Sequence, residues 1–159
     1  MTELLEIAVG ILVAAISGPI VGCVLDLGKL KLEKPDGFRE AIWNAIQPSG
    51  IEHAGKWLGG LERLVALASA WTGAYELLAG WLAFKVASKW EVWSNVLKVP
   101  DSLPDVPPLE YLKARRIWGS LMLMRFLIGT LSNVLLGFVA AYIGQHTWTT
   151  VQALYGSRI

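Results

Sequence analysis

The stretch Leu4–Leu25 spans 22 residues, and after Glu6 in its first turn no charged side chain appears up to Leu25. That exceeds the ~20 residues with which a helix crosses ~30 Å of hydrocarbon. A soluble helix of this length would show a polar face, and this one has none to show. The run Ile20-Val21-Gly22-Cys23 has the look of a lipoprotein cleavage site. A secretory signal needs a basic start, however, and residues 1–7 carry Glu3 and Glu6 with no Lys or Arg. The expectation is a retained first span over 4–25, bent at Pro19, which neighbouring helices can accommodate.

Two further apolar stretches follow. Leu64 to Phe84 is flanked by Glu62 and Arg63 before it and by Lys85 and Lys89 after it, in a segment without proline from Pro48 to Pro100. Splitting it at Trp71-Thr72-Gly73 leaves halves too short for the ~17 residues of a span, so one continuous helix over 62–86 is expected. Gly119 to Gly144 is interrupted by Arg125 alone, and its helix should start earlier, after Pro107-Pro108, with a span over about 117–144. The chain is 54% hydrophobic and 17% charged, against about 25% charged in soluble domains. The expectation is one all-α membrane domain over 1–159, polytopic, with about three transmembrane helices and an interfacial helix.

Between the spans lie a polar connector over 26–55 and a proline-rich spacer over 98–108. Within the connector, Pro35-Asp36 can open a short helix with Phe38, Ala41, Ile42, Ala45 and Ile46 on one side. It either lies on the membrane surface or packs on the protein's own ends, and Trp43 and Trp57 suit the interface in both cases. Both connectors are basic, so the positive-inside rule pulls two ways. Acidic residues before the first span and basic ones after it favour an outside N-terminus.

Steps of four and three residues from Glu62 give Ala66, Ser69, Gly73, Glu76, Gly80, Ala83 and Ala87. On one helix these form a stripe of small side chains that lets another backbone come close. Steps of four in the last span give Arg125, Gly129, Asn133, Gly137 and Ala141. Ala66, Ser69, Gly73, Gly80, Ala83, Gly129 and Gly137 are therefore expected to pack helices. Glu62, Arg63, Glu76, Arg125 and Asn133 are the polar groups at membrane depth, where each charge costs ~2.5–3.5 kcal/mol. Glu76 and Arg125 fall at similar depth and should pair, as a structural lock in preference to an ion pathway. Glu62 should reach Arg63, Gln145 or His146, and Lys85 and Lys89 should snorkel to the interface.

Chemistry-bearing patterns are sparse. There is no phosphate loop, nucleophile elbow or Cys/His set of metal spacing; His53 and His146 stand alone, and Cys23 has no partner for a disulfide. A net charge of +1 gives no field for nucleic acid. Neither a cofactor nor a catalytic site is expected, and membrane lipid is the partner the composition itself requires. Lys113, Arg115 and Arg116 can meet anionic headgroups or simply flank the last span.

The sequence Gly59-Gly60-Leu61-Glu62-Arg63-Leu64, then Tyr75-Glu76 and Ala83-Phe84-Lys85, then Phe126-Leu127-Ile128-Gly129-Thr130-Leu131, resembles the C-terminal half of a group of uncharacterised bacterial membrane proteins. The likeness covers roughly residues 55–144. It implies a bacterial inner-membrane location and draws attention to Glu62, Arg63, Glu76, Lys85 and Gly129, without bringing an activity. Function on these grounds is helix–helix assembly, as a homo-oligomer or as a subunit of a larger membrane complex. An oligomeric channel or transporter using Glu76 and Arg125 is the alternative, and a lipid-acting membrane enzyme the third class.

Overall fold

The computed structural model describes residues 2–28, 37, 39–46, 52–94 and 107–156. All secondary structure in them is helical: α1 Thr2–Ile16, α2 Gly18–Leu27, α3 Glu40–Ile46, α4 Glu52–Thr72, α5 Tyr75–Ser94 and α6 Pro108–Gly156. Among the described residues two stretches, Glu3–Leu27 and Pro108–Thr147, contain a helical segment long and apolar enough to cross a membrane.

The first of these is jointed. Pro19 has no N–H for the helical ladder, and the chain turns at Ser17 before α2 begins with that proline in its first turn. Ser17 N–H still reaches the Val13 carbonyl at 3.1 Å, and Ile20 N–H closes a tighter turn onto Ser17 at 3.0 Å. The bend expected at Pro19 is thus a short turn between two helices.

The continuous helix expected over 62–86 is not formed. Gly73 takes φ +72°, a left-handed conformation that stops the helix at Thr72, and a new one starts at Tyr75. The length objection to a hairpin fails because both arms reach past the apolar heart. α4 begins back at Glu52 and α5 runs on to Ser94, giving 21 and 20 residues, or ~30 Å each. Glu62 on α4 and Lys85 on α5 are paired across the hairpin, as described below.

Close approaches fix the directions. A Cβ on Gly144 would lie 2.7 Å from the Glu6 carbonyl, and one on Gly10 3.3 Å from the Ala140 carbonyl, so α1 runs antiparallel to α6. Gly59 abuts Asn133, Ala66 abuts Gly137 and Trp71 abuts Gly144, so α4 runs parallel to α6. The Tyr75 ring meets Phe138 at 6.5 Å between centroids while Lys85 reaches Thr130, so α5 is antiparallel. Successive long helices alternate in direction around α6. One core cluster joins Ala14, Leu67, Ala140 and Ala141.

α3 packs on the start of α6, with Ile42, Trp43 and Ile46 buried against Tyr111, Ala114 and Trp118. Of the two places expected for the connector helix, it takes the one on the protein's own surface. Trp43 is 3% exposed and belongs to that core, whereas Trp57 is 79% exposed. Pro35, Asp36, Phe38 and most of the proline-rich spacer lie outside the described residues.

Candidate functional site: a buried charge cluster

Glu62 and Arg63 are neighbours on α4, and both are buried, at 1% and 7% exposure. Glu62 points toward α5, where the Lys85 ammonium forms an ion pair with its Oε1. The Thr130 hydroxyl on α6 accepts a hydrogen bond from Lys85 at 2.5 Å and donates to the same Glu62 oxygen at 3.4 Å. Glu62 Oε2 accepts from Asn133 Nδ2 at 2.9 Å. Asn133 Oδ1 in turn accepts from Arg63 Nη1 at 2.6 Å. The amide orientation follows from its neighbours, since a carboxylate requires a donor and a guanidinium an acceptor.

Arg63 completes the circuit with α1. Its Nε donates to the Ala14 carbonyl at 2.7 Å, which also accepts from the Ser17 hydroxyl at 3.0 Å. A cation at the last turn of α1 opposes the negative end of that helix. The Lys85 ammonium also lies 4.6 Å over the Phe126 ring, a further favourable contact for a desolvated cation.

The cluster lies at mid-length of α4 and α5 and near the midpoints of the two long apolar stretches. Glu62 is the central residue of α4, Lys85 stands at the centre of α5, and Thr130 and Asn133 straddle the midpoint of Gly119–Gly144. Ala14 is near the midpoint of Leu4–Leu25. Two cations and one anion meet there.

Several sequence expectations require correction. Lys85 does not snorkel: its side chain is 8% exposed and engaged with Glu62. Gln145 and His146 are exposed and about three turns beyond Asn133 along α6; the His146 ring instead stacks on Tyr142 at 4.1 Å. Glu76 and Arg125 are not brought together. Tyr75 is level with Phe138, and Arg125 precedes Phe138 by 13 residues, which separates the two groups by ~20 Å along the axis. The depth match assumed α5 to continue α4, and the Gly73 turn removes that premise. Glu76 is exposed in the first turn of α5, and Arg125 is half-buried.

The small-residue stripe divides at the same turn. On α4, Ala66 and Ser69 are fully buried, and Gly137 accepts Ala66 so closely that a Cβ there would lie 2.5 Å from the alanine Cβ. On α5 the phase changes: Leu78 and Lys85 face inward, while Glu76, Gly80, Ala83 and Ala87 face outward. Gly73, Gly80 and Gly129 have nothing within 4 Å of where a Cβ would stand. Lys85 and Thr130 were missed as members of the cluster. For Lys85 a positional signal lay in the nearly equal spacing of Glu62 and Lys85 about Gly73, which has meaning once a hairpin is admitted; Thr130 had none.

Among the described residues no group of three or more His, Cys, Asp or Glu could hold a metal ion. Compared with protein-family models, curated proteins and solved structures, the chain matches none.

Proposed function

We propose that this is a multi-pass membrane protein of four crossings that works by helix–helix assembly, as a homo-oligomer or as a subunit of a larger membrane complex. The observation that carries the reading is the outward face of α5. Gly80, Ala83 and Ala87 turn away from the bundle, beside a shallow groove lined by Leu82, Ala83, Val86 and Ala87. Lipid tails gain little from such a face, whereas a second helix packs against it closely.

Four crossings also reconcile the charges. The basic connectors before α4 and before α6 then share one side, while the Gly73 turn, with no Lys or Arg near it, and the acidic start of α1 share the other. The positive-inside rule assigns the connectors to the cytoplasm and the N-terminus to the outside. The bacterial inner-membrane location implied by the sequence resemblance belongs to this same proposal.

The test is the mass of the purified protein in lipid nanodiscs. Gly80→Leu fills the outward face without touching the bundle, and it should reduce a defined assembly to monomers. Gly73→Leu is unsuitable, because that glycine's left-handed conformation would be strained by any side chain. A wild-type monomer that recruits no other membrane subunit overturns the reading.

A second reading, ion transport, is favoured by the position of the Glu62–Lys85–Arg63 cluster. Ionisable groups at mid-depth commonly mark ion paths, and sites at helix breaks near the bilayer centre recur in transporters. Its residues are Glu62 and Lys85 in place of Glu76 and Arg125. Loss of conductance in Glu62→Gln proteoliposomes is its expected outcome.

A further inference from the structure

The cluster is unevenly charged, and its hydrogen bonds show where the surplus sits. Both oxygens of Glu62 are occupied, by Lys85 and Thr130 on one and by Asn133 on the other. Arg63 therefore carries the extra positive charge, and of its guanidinium only Nε and Nη1 have acceptors. Among the described residues nothing accepts a hydrogen bond from Nη2. A buried charge in apolar surroundings is costly, and the carbonyl end of α1 offsets this one only in part, so the cluster carries a net positive charge.

Two glycines come close to Nη2. A Cβ on Gly18, at the start of α2, would stand 3.1 Å from it, and a Cβ on Gly60, on α4, would stand 3.9 Å from it. At Gly60 that nitrogen is all that lies within 4 Å, so the space beside it is open. Any larger residue there would cover the uncommitted edge of the guanidinium.

We infer that the Nη2 edge of Arg63, between Gly18 and Gly60, binds one small monovalent anion of the halide class. The surplus of a single charge sets the valence. The setting between two helices, at the centre of apolar stretches, excludes a lipid headgroup and favours an ion that sheds its water readily. The site lies within one chain, so it stands apart from the assembly reading and is tested whatever the oligomeric state.

The experiment is a thermal melt of the full chain in zwitterionic-lipid nanodiscs, followed by tryptophan fluorescence, with chloride titrated against gluconate at constant ionic strength. A ligand bound only by the folded state multiplies the folded-to-unfolded ratio by 1 + [L]/Kd. A saturable rise in melting temperature with chloride is expected. Radioactive chloride should bind at one ion per chain. Arg63→Gln should abolish both signals. Because that variant also breaks two buried hydrogen bonds, Gly60→Leu decides if it fails to fold. It leaves every charge and hydrogen bond of the cluster in place, adds a better helix former, and should remove chloride binding by covering Nη2. The inference is overturned if wild type shows no chloride-specific stabilisation, or if Gly60→Leu binds chloride as wild type does.

Discussion

Lys85 and Glu62 stand at nearly equal distances from Gly73 along the two arms of the α4–α5 hairpin, and they close on each other as a buried ion pair. The pair ties the outer arm to the bundle, since Lys85 also reaches Thr130 on α6. Removing one partner of a buried ion pair typically costs ~3–5 kcal/mol, whereas replacing both with apolar side chains of similar volume is often nearly neutral. Lys85→Met should therefore destabilise strongly, and Lys85→Met combined with Glu62→Leu should cost much less than the sum of the two. Unfolding titrations in mixed detergent micelles, run as a double-mutant cycle, measure the difference.

Gly137 and Gly129 lie on the same helix, two turns apart, and should respond oppositely to alanine. At Gly137 the added methyl would stand 2.5 Å from Ala66 Cβ and 2.6 Å from the Arg63 carbonyl. Backbones must separate to admit it, at ~1–3 kcal/mol. At Gly129 nothing lies within 4 Å, and alanine should be neutral or stabilise by up to ~1 kcal/mol through helix propensity. Melting temperatures of the two variants in one lipid composition check this.

The hairpin depends on the backbone at Gly73. Its φ of +72° costs an ordinary residue ~1–2 kcal/mol, and asparagine less than alanine. Gly73→Ala should lower stability more than Gly73→Asn. Should both be neutral in thermal melts, the turn does not end α4 as described.

Four crossings predict opposite labelling at two exposed positions. In a Cys23→Ser background, Glu76→Cys beside the turn should react with a membrane-impermeant maleimide on intact cells. Lys113→Cys, early in α6, should react only after permeabilisation. The reverse pattern would invert the topology, and equal protection of both would overturn it.

How much of this was readable in advance differs by element. The apolar stretches, the start of the last helix at Pro108 and the bend at Pro19 follow from local rules, because proline and hydrophobic length act through the chain's immediate neighbourhood. The stripe Glu62–Ala66–Ser69 was readable from its periodicity, but its seat on Gly137 of the same chain was not, because spacing does not say which helix covers a stripe. The Gly73 turn was not, since glycine is tolerated within helices and the length rule was applied to the apolar heart alone. From that one turn followed the mistaken Glu76–Arg125 pair and the assignment of Lys85 to the surface. The cluster joins residues up to 71 positions apart, as in Asn133 to Glu62, and no periodicity in a single segment encodes such a meeting.

α6 runs unbroken for 49 residues, ~74 Å, while α1 and α2 meet at a joint and α4 and α5 at another. Mechanically the molecule is a single beam with two articulated limbs laid along it. A displacement applied near Trp118, where α3 is seated, reaches the Gly144 contact without a joint to absorb it. The limbs change direction at Ser17 and Gly73, and both are pinned to the beam at mid-length through Arg63 and Lys85.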